Sequence, residues 1–563
     1  MPPYRWQLAP VITAEARAAL GDFHPLIAQI LVNRGLTDRV QALSFLTYGE
    51  GPTYDPFQLP DMGAAVDRLQ HAIAHQEPVV IYGDFDADGI TGTALLVQGL
   101  RRLGAVVSPY IPHRETEGYG VNTGALDRFR AEDAKVVVSV DTGTSAVAEM
   151  AHAEFLGLDT IVLDHHAIPP ELPKTIALVN PYRPESRYPF PGLAGVGVGF
   201  KLLQAMHIAA GRPPEEVEDY LDLAAIGTVG DLAPLTHENR WIVQQGLAAI
   251  NRGGRLGLQA LSRAAGLQPG AIDAGDLGFM IAPRLNAMGR LDHAIHSYQL
   301  LCSDDGTEAS HLADMLEATN TERKRVTRDA IEHARAAIGT DDGPVVLVAG
   351  PYPAGVIGLV ASKLAEERYR PAVVVEQGEE FSRGSCRSIP EVSIVAALQH
   401  CSDLFVRYGG HPAAAGFTIE TRRLPELRQR LANAVERELS GARPDPILRI
   451  DAETTLRAFP GPLMGELARL EPYGQGNREP VFVTRNAVVA QKRTLGAGGD
   501  HLELRVKEGG AIWRAMGFGM GKRIDTVLGQ VDLAYTIALD RYHGGGTLQL
   551  RLRDWRPAGQ ALT

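Results

Sequence analysis

Three carboxylates stand at alternate positions in "IYGDFDADGITGTALL": Asp84, Asp86 and Asp88, with Gly89 closing the run. Oxygen donors at this density hold hard divalent cations. An EF-hand calcium loop is one reading, because these four residues match its first half, but its twelfth position must be a bidentate glutamate, and here it is Leu95. The preceding "PVVIYG" is apolar and rich in Val and Ile, a buried strand and not the helix that leads into an EF-hand. Further along, Asp141 closes "VVVSVD", Asp164, His165 and His166 close "IVLDHH", and Asp231 lies in "AAIGTVGDLAP". Singly each has an ordinary reading, since a strand-end Asp is often a helix cap and a His pair often surface polar. Together they supply what a two-metal phosphoesterase needs: donors for cations about 3.5 to 4 Å apart, with one carboxylate bridging.

Such residues must be brought together by the elements that end in them. From Pro78 to about Leu232 the β-rich runs "PVVIYG", "AVVSPYI", "AKVVVSVD", "DTIVLDHH" and "IALVNP" alternate with helical patterns, which predicts an α/β fold with a doubly wound parallel sheet. Ligands bind such sheets outside the carboxyl ends of the strands, where the acids and histidines fall. Good helix formers run from Thr307 to Ile338 without an internal Pro or Gly, predicting one long connecting helix. "GPVVLVAG", "VIGLVASKLAEERY" and "PAVVVEQ" start a second, smaller α/β domain. After the linker "GARPDP", five strand-like runs with Gly-rich turns predict a C-terminal β-barrel, with the oligonucleotide-binding (OB) fold foremost. The expected division is a helical N-terminal segment over 1–50, a catalytic domain over 51–302, the connecting helix over 303–340, the second domain over 341–443 and the barrel over 447–557.

The 563 residues, 45% hydrophobic and 22% charged, are enough for several cores. Cys302, Cys386 and Cys401 show no CxxC spacing, which argues against a zinc ribbon or a disulfide framework and fits a reducing compartment. The first twenty residues lack the pattern of a signal peptide and no later run is apolar enough to span a bilayer, so the expectation is a cytoplasmic protein with no membrane partner. The net charge of -12 is a weak argument against nucleic acid, because basic residues cluster in "NTERKRVTRDAIEHAR", "VTRNAVVAQKRTL" and "GMGKR" and local fields steer ligands.

The stretches "GDFDADG", "SVDTGTS", "LDHH" and "GTVGD" resemble the four motifs of the DHH phosphoesterase superfamily, and "YGGHPAAAG" resembles its companion DHHA1 motif. Within it, "RLNAMGRLDHA", "GVIGLVASKLAEERYRPAVVV" and "LEPYGQGNREPVF" are similar to the RecJ branch of bacterial single-stranded-DNA exonucleases. The resemblance implies a DHH domain, a DHHA1 domain and an OB-fold, and 5'-to-3' digestion of single-stranded DNA to 5' mononucleotides in DNA repair and recombination. It also implies two Mn²⁺ or Mg²⁺ ions, one held by Asp88, Asp141, His165 and Asp231 and the other by Asp84, Asp86 and the bridging Asp141. His166 is then placed at the scissile phosphate, and Asp164 orients an imidazole. A single-strand-binding protein and a helicase are the implied protein partners.

Candidates for gripping the substrate follow. Arg383, Ser385 and Arg387 alternate in "SRGSCRS", so a strand would point them one way. Gly409, Gly410 and His411 precede a run of alanines expected to open a helix whose amides face an anion. Arg114 and Tyr119 follow a strand of the first domain, and Arg284, Asn286 and Arg290 belong to the RecJ-like motif. Where that pattern has a Trp-His pair before "GVIG", this chain has Tyr352 and Pro353, which leaves Tyr352 nothing beyond stacking. Two other readings compete: a DHH hydrolase of short oligonucleotides, cyclic dinucleotides or pyrophosphate, and a non-catalytic scaffold of the Cdc45 kind.

Overall fold

The computed structural model describes residues 3–47, 53–114, 116–459, 461–539 and 547–560. The chain divides into two compact units, one of Ser44–Arg323 with Leu470–Arg478, the other of Met1–Leu43, Lys324–Arg469 and Glu479–Thr563.

In the first unit the strands Val79–Gly83 and Val136–Val140 are buried along their whole length, as Val-rich strands covered on both faces must be. They belong to a five-stranded sheet, parallel at every pairing, in the spatial order Val107–Tyr110, Val79–Gly83, Val136–Val140, Asp159–Leu163, Ala177–Val179. The second strand in sequence lies on one side of the first and the third on the other, so the winding reverses between Val79–Gly83 and Val136–Val140. A crevice opens at such a switch point. Register then determines what lines it: Gly83 pairs with Val140, Val140 with Leu163 and Leu163 with Val179. The next residue of each strand is Asp84, Asp141, Asp164 and Asn180, a row of polar residues at the strand spacing of about 4.8 Å. The helices Ala87–Arg102, Gly195–Ala209 and Leu221–Gly230 pack in the same apolar core.

The helix Gly306–Ile338 runs 33 residues, as its composition predicts. The second unit holds a mixed sheet, ordered Phe405–His411, Ala414–Glu420, Phe381–Arg387, Ala372–Glu376, Val346–Gly350, in which only the last pairing is parallel. The expected helix after "GGHP" is not formed. Ala414–Glu420 is a strand pairing back on Phe405–His411, because Ala415, Phe417 and Ile419 alternate inward with period two and their burial outweighs the helical preference of alanine. The five barrel strands are Phe482–Leu495, His501–Glu508, Ala511–Gly517, Gln530–Leu539 and Leu548–Pro557, and the first pairs with the fourth to close the ring. The N-terminal segment also departs from an all-helical reading: Arg5–Leu8 is a strand paired in parallel with Ile447–Ile450, and helices follow it. No helix among the described residues is long and apolar enough to cross a membrane.

Candidate metal centre

The first acidic loop turns directly from strand to helix. Asp86 caps the helix Ala87–Arg102, its carboxylate accepting from the amides of Asp88 at 2.9 Å and Gly89 at 3.3 Å. Gly89 permits the turn, since a Cβ there would lie 2.5 Å from the backbone nitrogen and oxygen of Asp84. Asp88 then points inward and receives the Gly195 amide at 2.7 Å and the Val196 amide at 2.8 Å, at the N-terminus of the Gly195–Ala209 helix. Asp141 takes a left-handed backbone, φ 62°, which Asp tolerates better than most residues. Its close neighbour is Gly195, where a Cβ would lie 2.6 Å from the Asp141 Cβ. Asp231 ends the Leu221–Gly230 helix, its amide bonded to the Gly227 carbonyl at 2.9 Å.

These segments converge on three groups whose potential ligand atoms lie within 4.8 Å of one another: Asp84, Asp86 and Asp141; Asp88, His165 and Asp231; and Asp141, Asp164, His165 and His166. His165 joins them, with Nε2 3.0 Å from an Asp141 oxygen and 3.8 Å from oxygens of both Asp88 and Asp231. Asp164 belongs to the third group, but both of its oxygens are already engaged by donors. One oxygen accepts from the amides of His165 and His166 and from His166 Nδ1 at 2.7 Å, and the other from the Thr144 amide at 2.9 Å.

The electrostatics show an acid cluster whose negative charge outweighs the positive charge around it. Burial, and then the charge of Asp86, pushes Asp84 well above the ordinary carboxylate range. Burial and Asp231 push Asp88 up to about 7, burial and Asp86 push Asp231 up to about 7, and burial with Asp88 raises Asp141. Burial lowers His165 and favours the neutral imidazole that metals bind. His166 goes the other way: burial opposes its charge, but the bond to Asp164 outweighs burial and raises it to about 9. For Asp164, burial alone would raise the carboxyl, and the His166 bond reverses this and holds it well below its usual range. One oxygen of Asp84, a residue only 5% exposed, has no hydrogen-bond partner among the described residues. An orphaned buried carboxylate oxygen facing other acids fits a cation ligand, and the mixed carboxylate and imidazole donors suit Mn²⁺ or Mg²⁺.

The other sequence candidates divide between the units. Arg114 stands beside the cluster, its guanidinium 4.8 Å from the Phe85 ring and its charge felt at Asp84. Tyr119 reaches His166 Nε2 at 3.2 Å. Arg284 does not offer a free guanidinium: it is buried, ion-paired with Glu317 and bonded to the Met280 carbonyl at 2.6 Å. Asn286 and Arg290 are half-buried on the same helix, Ala282–Leu291, whose Gly289 backs the acidic loop: a Cβ there would lie 2.4 Å from the Phe85 carbonyl.

In the second unit, Arg383, Ser385 and Arg387 share the outward face of the Phe381–Arg387 strand. Arg387 and Ser385 lie over Gly358 at the start of the Ile357–Arg368 helix, where a Cβ would lie 3.0 and 3.2 Å from their polar atoms. Gly409, Gly410 and His411 are exposed on the strand that edges the sheet. Tyr352 is not available for stacking on a base, being buried with its hydroxyl 3.1 Å from His333 Nδ1. The amides of Gly195 and Val196 and the amide of Thr144 were not anticipated as parts of the site. The glycines of "LAGVGVGF" were the available signal for the first two, because a glycine-rich helix start is built for close approach.

Comparison with known proteins matches the DHH family N-terminal domain over residues 78–228, the DHHA1 domain over 343–437 and the RecJ OB domain over 450–554. The chain is 36% identical to the single-stranded-DNA-specific exonuclease RecJ of Bacillus subtilis, across 98% of this chain and 70% of that one. With the Salmonella typhimurium exonuclease of the same name it shares 32% identity across 97% of each. A crystal structure of RecJ in complex with Mn²⁺ from Thermus thermophilus superposes with a TM-score of 0.85 at 31% identity, covering 99% of this chain and 80% of that one. The chain therefore belongs to the RecJ family of single-stranded-DNA-specific exonucleases, within the DHH/DHHA1 phosphoesterases.

Proposed function

We propose that this chain hydrolyses single-stranded DNA from the 5' end and releases 5' mononucleotides. One observation carries the reading beyond family membership: six candidate ligands from four segments of the chain make up two of these groups, joined by the Asp141–His165 contact. In this reading Asp88, Asp141, His165 and Asp231 hold one divalent cation, and Asp84, Asp86 and Asp141 the other, as Mn²⁺ or Mg²⁺. Bound there, the cations supply Lewis acidity at the phosphate and lower the pKa of water.

The remaining work falls to the protein. His166, kept charged by Asp164, presents its Nε2 proton to an oxygen of the scissile phosphate, and Asp164 fixes the ring through Nδ1. Arg114 sets a positive charge beside the same oxygens. Ser385, Arg387 and the start of the Ile357–Arg368 helix, where Val356 provides no side-chain cap, take the 5'-terminal phosphate, with Arg383, Gly409, Gly410 and His411 along the strand path. Arg284, paired with Glu317, holds its own helix, and Asn286 and Arg290 on that helix are proposed to contact the DNA backbone.

The retained ligands speak against a non-catalytic scaffold, and the RecJ OB match speaks against a hydrolase confined to short oligonucleotides. Duplex must be unpaired before such a site can use it, at about 1.4 kcal/mol per base step, so a helicase and a single-strand-binding protein are the proposed partners, in cytoplasmic DNA repair and recombination. The test is digestion of an end-labelled single strand with Mn²⁺, beside a dinucleotide and a circular strand. Stepwise loss from the 5' end is expected. Equal trimming from the 3' end, or comparable cutting of the circle, overturns the proposal.

A further inference from the structure

Residues Leu470–Arg478, the "LEPYGQGNR" stretch, belong to the unit that carries the acid cluster, although the chain on both sides of them belongs to the barrel-bearing unit. Their contacts concentrate on the loop after Asp231. The Leu235 amide donates to the Gln475 carbonyl at 2.7 Å. Arg240, buried on the helix His237–Asn251, donates to the carbonyls of Leu470 at 3.0 Å, Glu471 at 2.7 Å and Phe45 at 3.1 Å. Asn477 closes the stretch on itself through the carbonyls of Leu470 and Pro472, at 2.7 and 2.8 Å. The fit leaves no slack: a Cβ on Gly474 would lie 2.6 Å from Leu235 Cδ1. Gly476, at φ 75°, would put one 3.2 Å from both Pro234 and Thr236.

The same loop carries the contacts that set two metal-ligand candidates. Asn239 donates to the Pro234 carbonyl at 3.1 Å and to the Gly192 carbonyl at 2.6 Å, and Gly192 leads into the helix start whose amides hold Asp88. That helix is tied back by a buried ion pair, Lys201 to Glu238 at 2.8 Å. Asp231 and Asp88 are thus suspended from a scaffold with Leu470–Arg478 as one wall. Asp84 and Asp141 take their places from the strand ends, and Asp86 from the helix it caps.

We propose that Leu470–Arg478 is a positioning segment for one of the two metal groups, holding Asp231, and through the shared loop Asp88, in ligating geometry with His165. This rests on reading the cluster as a two-cation centre. It predicts an asymmetric lesion that a merely stabilising segment would not produce.

The test counts Mn²⁺ on the full-length chain by calorimetric titration and by the EPR signal of free Mn²⁺, with Tm measured in parallel. Arg240→Lys and Gly476→Ala are compared with Val531→Ala, a barrel-core substitution serving as a control for general destabilisation. The wild-type chain is expected to bind two ions. Arg240→Lys and Gly476→Ala should weaken one binding event about 10-fold or more, as loss of outer partners of metal ligands does, and leave the other within about 2-fold. Val531→Ala should lower Tm and leave both events unchanged. Two unchanged affinities in a folded variant, or two equally weakened ones, overturn the proposal. A wild-type chain binding fewer than two ions overturns the cluster assignment instead. Should Arg240→Lys fail to fold, Gly476→Ala, which deletes no hydrogen-bonding group, decides the outcome.

Discussion

The two α/β sheets of this chain solve different problems. In the parallel sheet, strands buried on both faces end in register, so residues dozens apart in sequence become neighbours in one row, and Asp84, Asp141 and Asp164 lose nearly all contact with water. In the mixed sheet the polar residues sit on an outward face, Arg383 exposed and Ser385 and Arg387 half-buried. On the function proposed above, a pair of cations a few ångströms apart needs ligands fixed by backbone, whereas a terminal phosphate is met by side chains that adjust. Substitutions in the first sheet should therefore abolish function, and those in the second should tune it.

Asp141→Ala should break the contrast most severely. Losing the residue proposed to bridge the two cations is expected to lower kcat/KM by about three orders of magnitude or more and to reduce bound Mn²⁺, with far-UV circular dichroism unchanged. Full metal content with retained activity would remove Asp141 from the centre. Asp164→Asn tests the layer behind it, with turnover expected to fall about 10- to 100-fold and metal content nearly kept. Its NMR titration should show His166 returning from about 9 toward its ordinary value, since the carboxylate is what raises it.

Arg387→Ala addresses the mixed sheet. Removing one charge-assisted contact to a phosphate costs about 1.5–3 kcal/mol, so the preference for 5'-phosphorylated over 5'-hydroxyl ends should drop roughly 10- to 100-fold, with turnover on hydroxyl ends little changed. Equal loss on both substrates would place Arg387 outside the terminal-phosphate pocket.

The smallest effect is thermal. Asp88 and Asp231 sit at about 7 in the folded metal-free chain against an ordinary 3.8. Folded pKa values above the unfolded ones mean stability that is present at low pH and lost as pH rises through about 7. The metal-stripped protein should melt a few °C lower at pH 8 than at pH 6, on the scale of about 2–4 °C per kcal/mol. Added Mn²⁺ should raise Tm more at pH 8. A metal-induced gain independent of pH would contradict the repulsion inferred for the cluster.

The row Asp84, Asp141 and Asp164 was legible because a polar residue closing a Val- or Ile-rich strand is a local feature. The connecting helix and the five barrel strands were legible for the same reason. What escaped depends on distant partners. Nothing within "YGGHPAAAG" reveals that Ala415 will face a core, so alanine's helical preference misleads. Arg284 reads as a phosphate ligand until Glu317 is found beside it. Nor does "LEPYGQGN" disclose from its own residues that it packs against the loop following Asp231.

The pairing of Arg5–Leu8 with Ile447–Ile450 sets a schedule on the ribosome. The first strand emerges about 440 residues before its partner exists, and at roughly 5–20 residues per second it waits on the order of 20–90 s. The parallel sheet of the first unit can be complete long before then. Of its four residues, Arg5 and Gln7 alternate with Trp6 and Leu8, so the waiting segment carries two apolar side chains and no continuous greasy run. A translational pause late in the message would prolong that exposure, and a chain shortened before Ile447 would leave its own beginning permanently without a neighbour.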